Sequence, residues 1–238
     1  MTIQHNASAQ TSEFEFAALN EARNYRAALL RDFEVYLRGN VLEVGAGIGQ
    51  ITSALLQMPK IRQLCSIEPD ASFCARLRAQ FPQHRLLQGT IRDLQAETDW
   101  NAILSVNVLE HIEMDADELL QYHRLLQPAR GALCLFVPAR PEIYAPIDKD
   151  FGHFRRYTRP ELRRKLEGSG FEIVQLRYYN LVGYFAWWAS FCLLKKRSFD
   201  VASVRLFDRA IFPLVHGFES RACPPPIGQS LMAIAIAR

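Results

Sequence analysis

The sequence predicts an α/β fold built on a doubly wound, mostly parallel sheet of seven strands. Three observations carry this. Short apolar runs alternate with stretches of helical periodicity, the first run ends in a cluster of glycines, and the second ends in an acid, Glu68. With 238 residues, 49% of them hydrophobic and 22% charged, the chain is long enough for one large core and short for two ordinary domains.

Taken in order, residues 1–12 are polar, lack the basic and apolar regions of a signal peptide, and read as a flexible tail. Residues 13–238 then read as a single domain. Between 13 and 39, Tyr25, Leu29 and Phe33, with Tyr36 and Leu37 behind them, recur at three or four residues and predict one or two amphipathic helices. Residues 41–44 form a strand, the glycines a turn, and residues 50–58 a helix that stops at Pro59. A second strand (61–67) and helix (70–80) follow, then a weak third strand (85–89) and a fourth within 100–108. The next helix starts at Asp115, with Glu118 three residues on as a capping box, and closes at Leu126 before Pro128.

Residues 132–137 show no alternation, as expected of a fifth strand buried on both faces. Beyond it come a long loop (138–158), a basic helix (160–167), a sixth strand (171–178) and a final strand (231–237). The aromatic-rich segment 180–222 lies before that last strand as an insertion or lid, since loops this long in α/β enzymes are usually functional. Its longest uncharged run, residues 181–194, would cover about 21 Å as a helix, too short to span a bilayer.

Composition narrows the partners. A net charge of +3 supplies no global field for nucleic acid, so any anion recognition is local. Five scattered cysteines without a C-x-x-C pair argue against a disulfide framework or a cysteine zinc site and fit a reducing cytoplasm.

The chemistry starts at Glu43, Gly45, Ala46, Gly47 and Gly49, where strand one turns into a helix. Gln50 stands where a dinucleotide G-x-G-x-x-G fingerprint needs its third glycine. An anionic Glu43 at this turn disfavours pyrophosphate and favours an ammonium or sulfonium. Glu68, 19 residues beyond Gly49, ends strand two where an acid can accept hydrogen bonds from ribose hydroxyls. Together these describe a nucleoside with a cationic tail.

With LEVGAGIG (42–49), IEPD (67–70), NVLEHI (107–112) and LLQPARG (125–131), residues 20–180 resemble the class I S-adenosylmethionine-dependent methyltransferases, whose fold is Rossmann-like. The resemblance implies S-adenosylmethionine as cofactor. Glu43 and the turn from Gly45 to Gly49 would hold its methionine part, Glu68 its ribose, and Pro69 would wall the adenine. Thr90 stands where many relatives carry an acid for the adenine amino group, with Ile91 packing on the ring. The carbonyl of Asn107, with Val108 beside it, would receive the methionine ammonium.

The stretch 148–158 resembles the G-H-x-R-R-Y loop of a bacterial subgroup of that family, and it leaves the sheet at the edge where ligands bind. Methyl transfer from a sulfonium needs alignment and desolvation, and a base only when the acceptor must lose a proton. His111, His153 and Tyr157 are the candidates. Arg155 and Arg156 either bind an anionic group on the acceptor or pair with Asp148 or Asp150 to fix the loop. Tyr184, Trp187 and Trp188 read as core or dimer contact, as an apolar acceptor pocket, or as a patch resting on a membrane with Lys195, Lys196 and Arg197 at the headgroups.

No metal is expected, because NVLEHI replaces the acid-rich turn that a magnesium site would use. The expected activity is methyl transfer to oxygen or nitrogen of a small, partly apolar metabolite, with no nucleic acid involved and a homodimer open. The alternatives are a membrane-associated lipid or isoprenoid methyltransferase and a catalytically silent S-adenosylmethionine-binding subunit.

Overall fold

Seven strands organise the computed structural model, which describes residues 20–94, 99–221 and 225–238. They are β1 (Gly39–Val44), β2 (Ile61–Glu68), β3 (Arg85–Gln88), β4 (Ala102–Val106), β5 (Ala132–Pro138), β6 (Phe171–Tyr179) and β7 (Ser230–Ala237). Their order is β3-β2-β1-β4-β5-β7-β6. The first five are parallel, and β7 runs antiparallel between β5 and β6. Strand order reverses between β1 and β4, which opens a crevice at their carboxyl ends, the usual ligand position in such sheets.

Helices cover both faces: α1 (Arg23–Phe33), α2 (Gln50–Leu55), α3 (Ala71–Gln80), α4 (Asp115–Leu126), α5 (Pro146–Asp150), α6 (Arg159–Gly168), α7 (Leu181–Trp187), α8 (Val201–Leu206) and α9 (Phe212–Arg221). Leu119, Tyr122 and Leu126 of α4 and Leu162 and Leu166 of α6 pack on one face with Leu133 and Leu135. Leu29, Leu30 and Phe33 of α1 and Phe212 of α9 pack on the other with Cys134 and Phe136. Consecutive residues of β5 thus enter opposite cores, which explains a strand with no polar alternation.

Three expectations are revised. The start of α4 has no capping box: Met114 is the N-cap and makes no side-chain bond, while Asp115 is buried among ion-pair partners. The loop 138–158 contains a 3₁₀ turn (Pro141–Ile143) and α5, and a parallel bridge from Ala139 to Tyr157 ties it to the sheet. The insertion 180–222 has two unlike parts. Trp187 and Phe191 pack on Ile143, Ala145 and Ile147 of that loop, whereas Phe212 enters the core behind the sheet. Asp208 there accepts hydrogen bonds from the backbone N–H groups of Asn24 and Tyr25, joining the insertion to the start of α1.

The predicted tail, the predicted helical residues 13–19 and Cys223 lie outside the described residues. Among those described, no helix is long and apolar enough to cross a membrane.

Candidate functional site

The turn after β1 is held by its glycines and by one acid. Gly45, Gly47 and Gly49 have φ of 76°, 55° and 84°, a region that disfavours side chains. A Cβ on Gly45 would come within 2.4 Å of Val108 Cγ2, so the wall of the crevice itself excludes anything larger there. Glu68 is buried; its Oε2 accepts from the Gly47 N–H at 2.7 Å and its Oε1 from the Asp70 N–H at 2.9 Å. A carboxylate has about four lone-pair sites, so the same group can order the turn and still receive a ribose hydroxyl. Asp70 caps α3 through the N–H groups of Ser72 and Phe73, which leaves Pro69 exposed at the strand end.

Glu43 does not point into the crevice. Its buried Oε2 accepts from Thr52 Oγ1 at 2.7 Å and Ser66 Oγ at 2.5 Å, and so ties β1 to α2 and β2. Burial pushes this carboxyl up to about 6, against the two hydroxyl bonds that oppose the rise. Through these bonds the side chain braces the turn expected to hold the methionine. Ser66 also lies 2.8 Å from His84 Nε2, so Glu43, Ser66 and His84 form a chain that no contiguous motif announces.

The acid missing at Thr90 arrives three residues later. Thr90 donates its N–H and Oγ1 hydrogen to Asp93 Oδ2, at 2.8 and 2.9 Å, while Ile91 is buried. Across the crevice, Asn107 adopts φ of 53° and is exposed, with its N–H held by the Phe136 carbonyl at 2.9 Å. Ala46 is buried beneath the turn and Val108 half-buried over it. The expected cofactor residues thus gather at the carboxyl ends of β1, β2, β3 and β4.

The acceptor side is assembled from distant segments. Phe154 donates its N–H to the Glu110 carbonyl at 2.8 Å, drawing the loop against the LEHI turn after β4. Gly152, at φ of 78°, turns the chain after α5 so that His153 folds back on Asp148. His153 Nδ1 lies 3.0 Å from Asp148 Oδ1, its Nε2 lies 4.0 Å from Glu110 Oε1, and its ring stands edge-on to His111 with centroids 4.6 Å apart.

Burial lowers the pKa of His153 against the pull of Asp148. The protein packed around His111, whose edge is open to solvent, and the neighbouring His153 lower that of His111. Both rings are therefore neutral near pH 7. Burial alone would raise the Asp148 carboxyl, yet His153 and Arg156 hold it below the ordinary carboxylate range.

The other expected acceptor residues are committed inside the protein. Tyr157 is fully buried, with its hydroxyl 2.9 Å from Asp115 Oδ2 and 3.2 Å from the Leu109 carbonyl. Burial and Asp115 push its phenol far above the ordinary range, and its two contacts tie the end of the loop to the turn after β4 and to the start of α4. Arg156 pairs with buried Asp148 at 2.8 Å and stacks over the Trp187 ring, and Arg155 pairs with Asp115 at 2.9 Å. Of the two readings for these arginines, loop fixation is the one observed, although Asp150 pairs with Arg197. Trp187 is buried and donates to the Ile143 carbonyl, so it is core. Tyr184 is half-buried against Glu142, and Trp188 faces outward.

Glu110 was not among the expected site residues, though it directly precedes His111. It is wholly buried, and its carboxylate closes a cluster with His111 and His153 in which one ligand atom from each residue lies within 4.8 Å of the others. The signal was present in NVLEHI, but its third member comes from beyond the fifth strand.

A family model described as a methyltransferase domain matches residues 14–176. The chain belongs to that family and is a methyltransferase. No curated protein matches the chain. Among solved structures, it is similar to a chain of the Haloferax volcanii complex between the Trm112 methyltransferase activator and a methyltransferase: TM-score 0.65, 13% identity, 99% of this chain and 97% of that one covered. An S-adenosylmethionine-dependent methyltransferase of Mesorhizobium loti gives 0.60 at 15% identity over 87% and 95% of the two chains. One from Clostridium acetobutylicum gives 0.56 at 10% over 90% and 91%. At these identities the likeness is one of fold.

Proposed function

We propose that the protein transfers a methyl group from S-adenosylmethionine to an oxygen or nitrogen of a small, partly apolar acceptor. One observation carries the reading: the left-handed glycine turn is folded onto the buried carboxylate of Glu68, opposite the exposed backbone of Asn107 at the switch point. That donor set suits a neutral ribose and a cationic tail, and it lacks the glycine spacing for pyrophosphate.

When bound, S-adenosylmethionine supplies an electrophilic methyl group on a sulfonium. Glu68 then holds two ribose hydroxyls and Asn107 accepts from the ammonium, which aligns the donor. The loop 141–158 and the packed start of the insertion keep water from the reacting edge, and His111 and His153 face the acceptor. Tyr157, Arg155 and Arg156 act as positioning residues for that loop.

The test uses labelled methyl donor and a metabolite extract, with mass spectrometry for products gaining one methyl group. S-adenosylmethionine or its demethylated product at a hundredfold excess over Kd stabilises the protein by about 2.7 kcal/mol, and NAD does not. Stabilisation by NAD alone would sink the assignment.

A second reading, that the acceptor is borne by a membrane, is supported by apolar stripes on the outside of the insertion. Ile211, Leu214 and Phe218 recur at helical spacing and are exposed, the last two at 76% and 69%. Phe185, Trp188, Leu193 and Leu194 are also exposed, followed by Lys195, Lys196 and Arg197. Apolar residues with basic neighbours suit an anionic bilayer surface. The protein then sediments with phosphatidylserine vesicles, and Leu214→Asp with Phe218→Asp releases it. Failure to sediment removes this reading, and concentration-dependent dimerisation lost in the same variant assigns the stripe to self-association.

A further inference from the structure

The cluster of Glu110, His111 and His153 is chemically distinct from everything the methyl donor needs. Its ligand atoms all lie within 4.8 Å of one another. Around a tetrahedral ion with bonds of about 2.0–2.2 Å, two ligands stand roughly 3.4 Å apart, so closure takes combined side-chain shifts of up to about 1.4 Å. The rings are held for it. His153 Nδ1 is engaged by Asp148 at 3.0 Å, and Nε2 is the nitrogen turned toward Glu110.

Asp148 is fixed in turn by Arg156 and by the Ala145 N–H. A carboxylate behind one imidazole nitrogen is the outer-shell arrangement that orients metal-binding histidines and raises their basicity.

From this geometry we propose that Glu110, His111 and His153 bind one divalent first-row transition ion of the zinc type. Two imidazoles and one carboxylate suit Zn²⁺, Co²⁺ or Ni²⁺, whereas Mg²⁺ prefers oxygen ligands and retained water. Three protein ligands leave coordination positions open. His111 is the exposed member, so those positions are reachable from the acceptor side. An ion there can take an acceptor oxygen or nitrogen as a further ligand and favour its deprotonated form. That last role rests on the methyl-transfer reading; the binding of the ion does not.

The test is a Co²⁺ titration of the full chain after chelator treatment, without methyl donor or acceptor. The expected result is one Co²⁺ per chain with visible d–d absorption, displaced by Zn²⁺ and not by Mg²⁺. Glu110→Gln and His153→Ala each weaken binding by 10-fold to 100-fold or more, as loss of even an outer-shell partner does. Should either variant fail to fold by circular dichroism, His111→Ala, at the exposed member, makes the same comparison. No stoichiometric Co²⁺ signal, or a signal undiminished in the folded variants, overturns the proposal. Binding in the absence of turnover, or turnover in the absence of binding, separates its fate from that of the methyl-transfer reading.

Discussion

The two sides of the crevice are built in opposite ways. The donor side is local: Glu43, the glycine turn and Glu68 lie on two adjacent parallel strands, and their bonds close within 23 residues of sequence. On the acceptor side, Glu110 and His111 follow β4, while His153 arrives from beyond β5 and depends on Asp148, Arg156 and the packing of Trp187. Backbone geometry therefore makes the first half, and buried charge and long-range packing make the second. A change on one side should leave the other largely intact when the sites are far apart and share no partners.

Removing His153 gives the largest expected effect. In His153→Ala, turnover falls by roughly 10²-fold or more, the scale for a group that handles a proton, while donor affinity measured by calorimetry stays the same. Full turnover in the folded variant would leave His111 as the remaining candidate. Next comes the support beneath it. Asp148→Ala strands a buried Arg156 and costs about 3–5 kcal/mol in denaturant unfolding, whereas a loss under about 1 kcal/mol would mean that the pair contributes little to the loop.

On the donor side, Glu68→Ala weakens S-adenosylmethionine binding by roughly 1.5–3 kcal/mol, the scale of hydrogen bonds to a charged group, and leaves Co²⁺ binding unchanged. Coupled losses at both sites would break the separation drawn above.

Glu43 provides a pH test. Its carboxyl stands at about 6 in the folded protein against an ordinary 4.5, so the native state holds the proton more tightly. Its contribution to stability is full below about 4.5 and is lost as pH rises through 6, an effect of about 2 kcal/mol. Glu43→Gln removes this slope from melts taken between those values, and an unchanged slope assigns it to other groups. The smallest effect separates position from chemistry: Tyr157→Phe lowers stability by about 1 kcal/mol through the lost bond to Asp115 and leaves turnover per folded molecule near normal.

Much of the architecture was legible in the sequence. Apolar runs of strand length, glycine at the first turn and proline after helices locate every strand of the sheet, because those signals are local consequences of backbone sterics and burial. Arg130 shows the limit: it takes the left-handed φ of 49°, while the glycine of LLQPARG stands one residue later, at Gly131, where a Cβ would come within 2.5 Å of the Trp100 carbonyl. Asp93 shows another: it stands at capping-box spacing from Thr90, and its fold-back onto that residue puts the acid beside the position where Thr90 lacks one.

On the acceptor side, the sequence offers His111, His153 and Tyr157 as candidate bases and leaves Arg155 and Arg156 between acceptor binding and loop fixation. Tertiary structure divided them: Tyr157 and Arg155 went to Asp115 at the start of α4 and Arg156 to Asp148 within the loop, while the two histidines were brought together with Glu110. The reason is the cost of buried charge. Asp115 and Asp148 lie almost fully inside, so each needs cationic partners at hydrogen-bond distance, and that demand fixes which way Arg155, Lys165 and Arg156 point. Residue type and spacing determine that this chain builds a parallel sheet with a glycine turn for a nucleoside ligand; which polar groups remain for chemistry is decided only when the buried acids have taken their partners.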